Sequence, residues 1–104
     1  MGRRFGLHSA CVAAAAAVAA GAPHAQDAAP PGRLLASNCF QCHGTNGRGP
    51  GFERLAGKSA EKLYREMKEL QSGDERDSLM GRHALGYSDA QLRELTQWLA
   101  SQPR

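Results

Sequence analysis

Cys39-Phe40-Gln41-Cys42-His43 is the stretch on which the reading of this chain turns. Two thiols three positions apart, with an imidazole directly after the second, form the C-x-x-C-H pattern by which a chain attaches a c-type haem. The spacing has a physical reason. On one turn of helix both sulfurs reach the two vinyl groups of one porphyrin, and the adjoining His43 sets its ring over the iron as proximal ligand. Other uses of the same residues fit less well. A Cys39–Cys42 disulfide would close too small a loop to stabilise a domain and would leave His43 without a role. A zinc site of Cys39, Cys42, His43 and His83 has suitable donors, yet a cysteine and a histidine adjacent in sequence rarely both reach one tetrahedral ion. A thioredoxin-like dithiol needs a βαβ setting, and the chain shows no alternating strand pattern.

Upstream of the motif lies a segment of different character. Arg3 and Arg4 precede an alanine and valine run from Ala10 to Ala20, followed by Gly21, Ala22, Pro23, His24 and Ala25. This is the layout of a secretory signal, cut after Ala25. Its apolar run falls short of the ~20 residues of a membrane-spanning helix, and no second such run follows. Cys11 leaves with the signal. Of the 104 residues, 79 then remain, with 11 Lys and Arg against 10 acids, a net charge of +1 instead of +3. A basic nucleic-acid binder is excluded by that balance. Only 27 of the 79 residues are apolar. A core that thin seldom supplies more than about 3 to 5 kcal/mol, so the domain needs a staple, and Cys39 and Cys42 are the cysteines left to attach one. The division expected is a signal at 1–25, a flexible segment at 26–31 and one domain at 32–104.

A haem held by His43 needs a second axial ligand, for which Met67, Met80 and His83 carry suitable donors. Met67 falls on the stripe Leu63, Met67, Leu70, the i, i+4, i+7 pattern of a core-facing helix, and is read as packing. Met80 stands in Ser78-Leu79-Met80-Gly81-Arg82, 37 residues after His43 and outside both flanking helical patterns. A loop methionine is the better distal ligand. His83 is the alternative, and would give a bis-histidine iron of lower potential.

Three helices are expected around this site. The first runs from Pro31 to Cys42, started by Pro30 and Pro31, and delivers the motif at its end. The second is capped by Ser59 and stops at Ser72-Gly73. The third starts at Ser88, which forms a capping box with Gln91 and leads into Leu92, Leu95 and Leu99. Between the first two, Gly44 to Gly57 holds five glycines. A loop so short of side chains is expected to approach the flat ring closely. The mixed charges of Asp74-Glu75-Arg76-Asp77 read as a solvated connection.

With Cys39 to His43 followed by Gly44-Thr45-Asn46-Gly47, then Leu55-Ala56-Gly57, Met80-Gly81-Arg82 and Gly86-Tyr87-Ser88-Asp89, the chain resembles small class I cytochromes c over residues 32–102. More narrowly, it is similar to the monohaem cytochrome subunits of flavocytochrome c sulfide dehydrogenases. The resemblance implies an all-α fold with three main helices around one covalent haem c, bound through Cys39 and Cys42, with His43 and Met80 as axial ligands. It also implies that the first helix crosses the last, Gly32 and Leu35 meeting Trp98 and Leu99, which makes Trp98 a packing residue. The family often has a proline shortly before Leu-Ala-Gly, where this chain has Glu53 and Arg54. Pro50 is expected to supply the carbonyl that fixes the His43 ring.

An iron with both axial positions filled has no place for substrate, so the expected task is outer-sphere transfer of single electrons. The resemblance implies a periplasmic subunit taking electrons from a sulfide-oxidising flavoprotein, an electron carrier in itself and part of a dehydrogenase only with that partner. A free shuttle between respiratory complexes is the alternative. A net charge near zero gives little long-range steering and favours the packed subunit. A haem enzyme or gas sensor would require an open iron.

Overall fold

Pro31, with φ fixed by its ring and no N–H to leave unpaired, opens α1 (Pro31–Ala36). In the computed structural model, which describes residues 1–2 and 29–104, the chain then tightens into a 3₁₀ turn at Ser37–Cys39 and relaxes into α2 (Phe40–His43). The expected single helix is therefore a composite that ends one residue later. Its tightening coincides with the Ser37 hydroxyl donating to the Leu34 carbonyl at 2.7 Å, a side-chain bond that competes with the helical ladder. Gly44, at φ +81°, ends it, and a Cβ there would collide with the backbone of Gly49. Residues 3–25 of the expected signal segment, with Cys11 and the 25/26 boundary, lie outside the described residues.

After a short 3₁₀ turn at Thr45–Gly47, α3 spans Ala60–Ser72, with the Ser59 hydroxyl accepting from the Lys62 N–H. α5 spans Asp89–Ser101, and both halves of the Ser88/Gln91 capping box are made. One helix lies where a loop was expected. α4 (Leu79–Leu85) starts at Ser78, whose hydroxyl accepts from the Gly81 N–H at 3.0 Å. Met80 is thus a helical residue in the first turn of α4 and not a loop residue. Seven residues with a glycine among them are too few to display a helical period. No strand forms among the described residues, and none of their helices is long and apolar enough to cross a membrane.

α5 is the axis of the packing. Its Leu92, Leu95 and Leu99 are buried with Ala36 of α1 and Leu63 of α3, and a shell of half-buried side chains that includes Leu35, Phe40, Met67 and Trp98 packs around them. α1 and α3 both lie against α5, while α4 lies against α3. The expected crossing of first and last helix is present. A Cβ on Gly32 would stand 2.6 Å from both the Glu94 carbonyl oxygen and the Trp98 Cβ, so only glycine allows this approach. Trp98 packs as expected, its ring 6.0 Å from that of Phe40.

A polar clamp ties α3 to the start of α5. The Tyr64 hydroxyl donates to Asp89 Oδ1, Arg93 Nε lies 3.4 Å and Lys68 Nζ 3.5 Å from the same carboxylate, and the Arg93 guanidinium stacks 4.1 Å over the Tyr64 ring. The hydrogen bond from Tyr64, aided by Arg93 and Lys68, holds Asp89 below its ordinary carboxylate range.

Two outcomes follow from this packing. Gly32→Ala, which on an isolated helix would add about 1 kcal/mol of stability, is expected here to cost about 1 to 3 kcal/mol through overpacking. Chemical denaturation of the holoprotein measures it, and an unchanged or raised midpoint would contradict the crossing. Asp89 is depressed in the folded state, so its contribution is present at neutral pH and lost as pH falls through the carboxylate range. Asp89→Asn should lower the melting temperature at pH 7 and should converge with the parent protein in acid; a gap independent of pH would contradict the clamp.

Candidate haem site

His43, the last residue of α2, is only 9% exposed. Its orientation is set by the loop that follows. The Gly49 N–H donates to the His43 carbonyl at 2.7 Å and the Phe52 N–H to the Cys42 carbonyl at 2.8 Å, folding residues 49–52 back onto α2. This return brings the Glu53 carbonyl 2.5 Å from His43 Nδ1. The ring N–H donates to that carbonyl, which places the proton on Nδ1 and leaves the Nε2 lone pair free for a metal. The carbonyl expected from Pro50 is therefore that of Glu53. The pairing of Phe52 with Cys42 explains the shift, since it carries the chain past Pro50 before the backbone comes level with the ring. The Glu53 carboxylate pairs with Lys58, whose hydrogen bond and charge hold it below the ordinary range.

The glycines of this loop work differently from expectation. Gly44, Gly47, Gly49, Gly51 and Gly57 all have positive φ. A Cβ on Gly51 would strike the Cys42 carbonyl. None of the five lines the cavity described below. Gly44 and Gly51 let the loop fold closely on α2, while Gly47 lies against Leu99 and Leu55 and Gly57 against Gln102 and Arg104, so that Phe52 and Glu53 are the loop residues that reach the cavity.

Cys39 is half-buried and Cys42 exposed, and the two are not joined in a disulfide. Burial, with Cys42 beside it, pushes the Cys39 thiol up. They line a mostly apolar cavity of about 470 Å³ together with His43, Met67 of α3, and Met80 and His83 of α4. Every haem-binding residue expected from sequence thus converges on one space. Met67 divides its role, lining this cavity while packing on the core cluster. Glu75, in the exposed charged connection, also lines it.

The residues present fit a haem. The cavity lies within the ~300–1,000 Å³ of cofactor sites. Phe52 and Leu79 line it yet are 72% and 69% exposed, large apolar surfaces of the kind a planar apolar ring would cover. Two thiols, an imidazole nitrogen and a thioether sulfur complete the donor set. Among the described residues no group of three or more His, Cys, Asp or Glu is placed to hold a metal ion.

Three positioning groups were not legible as such. Tyr87, at the cavity wall, donates its hydroxyl to the Leu35 carbonyl at 2.8 Å and accepts from the Asn38 amide at 3.2 Å, tying the first helical segment to the turn before α5. Gln71 donates to the carbonyls of Ala84 (2.8 Å) and Tyr87 (3.0 Å), tying the end of α3 to the end of α4. Gly81 is buried where a Cβ would collide with the carbonyls of Glu75 and Arg76, so its lack of a side chain lets the 73–78 turn lie on α4 beside Met80. Gly81 and Tyr87 stand in segments that carry the family resemblance, and Tyr87 also precedes a capping box, whereas Gln71 has no signal of either kind.

The family model described as cytochrome c matches residues 28–103. Among curated proteins, the cytochrome subunit of sulfide dehydrogenase from Chlorobaculum tepidum is 28% identical over 71 residues, covering 67% of this chain and 64% of that protein. The thiosulfate dehydrogenase electron acceptor of Thiomonas intermedia is 37% identical over 70 residues, covering 62% of this chain and 32% of that protein. The chain thus spans less than two thirds of the length of either relative.

Proposed function

Because this chain belongs to the cytochrome c family, whose members carry covalent haem c and transfer electrons, we propose that it is a periplasmic one-electron carrier that accepts electrons from a sulfide-oxidising flavoprotein. In this reading residues 1–25 are an export signal, 26–31 a flexible lead and 32–104 the working domain. Cys39 and Cys42 hold the haem through thioethers, and His43 Nε2 and the Met80 sulfur are its axial ligands. The observation that carries the reading is the convergence of both thiols, His43 and Met80 on one apolar cavity.

The haem supplies a single ferric–ferrous step; the chain sets its potential and its access. The Glu53 carbonyl holds the His43 ring in orientation with Nε2 directed to the metal side. The Met80 thioether favours the ferrous state and so raises the potential. Phe52 and Leu79, exposed at the cavity wall, would exclude water once a haem covers them and would favour the less charged form in the same direction. With His43 and Met80 both holding the haem, no protein-side position would be left for substrate to bind the iron, and the group would supply outer-sphere transfer of single electrons.

The choice of donor rests on three supports. One relative is named as a subunit of a sulfide dehydrogenase and another as an electron acceptor of a thiosulfate dehydrogenase, both in sulfur oxidation. The near-neutral charge of the working domain offers little steering for a free shuttle. The third support is the resemblance of residues 32–102 to the monohaem cytochrome subunits of flavocytochrome c sulfide dehydrogenases.

Met80→Ala is expected to lower the midpoint potential by more than about 60 mV, a tenfold change in a one-electron equilibrium. Met67→Ala should leave the potential near that of the parent and cost about 2 kcal/mol of stability. Redox titration and denaturation of both holoproteins check this, and exchanged outcomes would remove Met80 as the ligand. For the partner, the measurement is reduction of the holoprotein by a purified sulfide-oxidising flavoprotein in the presence of sulfide. Rapid stoichiometric reduction with formation of a stable complex is expected. No complex, with equal rates from unrelated donors, would replace the subunit by a free shuttle.

A further inference from the structure

α4 carries a second iron-binding side chain that the carrier function leaves without a role. His83 lines the same cavity as Met80 and stands three residues further along the same helix. Side chains at that spacing share a helix face, with β-carbons about 5 to 6 Å apart. The polar groups around α4 bond elsewhere. Arg82 Nε donates to the Asp77 carbonyl and Gln71 to those of Ala84 and Tyr87, and no side-chain hydrogen bond or ion pair engages His83 among the described residues. An exposed imidazole without partners, facing a haem cavity, is free to move into it.

Resting on the reading of Met80 as distal ligand, we propose that His83 is a reserve axial ligand, which binds the iron through its ring nitrogen whenever the Met80 sulfur is lost from it. Three helical residues rise about 4.5 Å, so an advance of α4 by less than one turn exchanges one side chain for the other. α4 is short, and the side-chain bonds that such a movement must release lie at its two ends, from the Gly81 N–H to Ser78 and from Gln71 to the Ala84 and Tyr87 carbonyls. It is a seven-residue helix between the exposed 73–78 turn and Gly86, whereas Met67, the other spare donor, sits on a thirteen-residue helix and packs into the core cluster. The exchange keeps the iron six-coordinate and closed to small ligands. It also replaces a sulfur by a nitrogen donor, which lowers the potential. Loss of the thioether therefore yields a low-potential carrier and not an open, gas-binding haem.

The test uses the holoprotein, its Met80→Ala and His83→Ala variants and the double variant, read by ferric electron paramagnetic resonance, optical spectra and carbon monoxide binding to the ferrous form. His83→Ala alone should keep the parent spectrum with its sulfur-to-iron charge-transfer band. Met80→Ala should lose that band, stay low-spin with two nitrogen ligands and resist carbon monoxide. The double variant should be high-spin and bind carbon monoxide readily, and added imidazole should restore the low-spin spectrum, which shows an intact pocket. A Met80→Ala protein that is already high-spin, unchanged by removing His83, would overturn the reserve role and leave Met80 as ligand. A double variant that stays low-spin without added imidazole would also overturn it. A charge-transfer band that survives Met80→Ala, or is lost in His83→Ala alone, would overturn both the reserve role and the assignment of Met80.

Discussion

The hydrogen bond from the His43 ring to the Glu53 carbonyl is the contact at which helix, loop and cavity meet. A histidine at the end of a short helix has two free torsions and, without a partner, would sample several directions. The carbonyl removes that freedom. For it to be in place, the chain must turn back sharply after α2, which requires the positive φ of Gly44, Gly49 and Gly51 and the bonds from Gly49 and Phe52 to the helix end. The same return sets Phe52 at the cavity wall, its ring 6.3 Å from that of His43. One local constraint therefore orients the metal-binding nitrogen, shapes the loop and supplies part of the apolar lining.

The rest of the fold is economical around that point. Buried hydrophobic side chains number seven among the described residues, three of them alanines, and the larger ones come from α3 and α5. So small a core is marginal for an isolated domain. The covalent haem c of the cytochrome c family accounts for the deficit, since a porphyrin offers a rigid apolar surface on which Phe52, Leu79, Met67 and Met80 can pack. Stability and function then depend on the same group. The thin core visible in the composition, the exposed Phe52 and Leu79, and the cavity beside His43 are three aspects of one arrangement.

Elements with strong local chemistry were legible in the sequence. Ser59 and the Ser88/Gln91 box fixed the starts of α3 and α5, because a capping side chain replaces a backbone partner and leaves a readable residue pattern. The motif from Cys39 to His43 located the site, and Gly32 against Trp98 confirmed the crossing implied by the resemblance. What escaped notice depends on contacts between distant backbone groups. α4 is held by one serine cap and by Gln71, with too few residues to show a period, so Met80 was read as a loop residue when it is helical. The carbonyl facing His43 moved from Pro50 to Glu53 because a backbone bond between Phe52 and Cys42 sets the path of the loop. Backbone carbonyls carry no side-chain signature. The loop glycines were recognised, but their use for chain reversal and not for approach to the ring follows from φ values that composition does not specify.

The central claim is that one space bounded by His43 on α2 and Met80 on α4 holds the iron between these two side chains. Proton NMR of the ferrous holoprotein tests it most directly, because a methionine methyl bound to haem iron is moved far upfield by the ring current of the porphyrin. The account predicts one such methyl signal, lost in Met80→Leu and retained in Met67→Leu. A signal absent from the parent protein, or lost in Met67→Leu and retained in Met80→Leu, would contradict it.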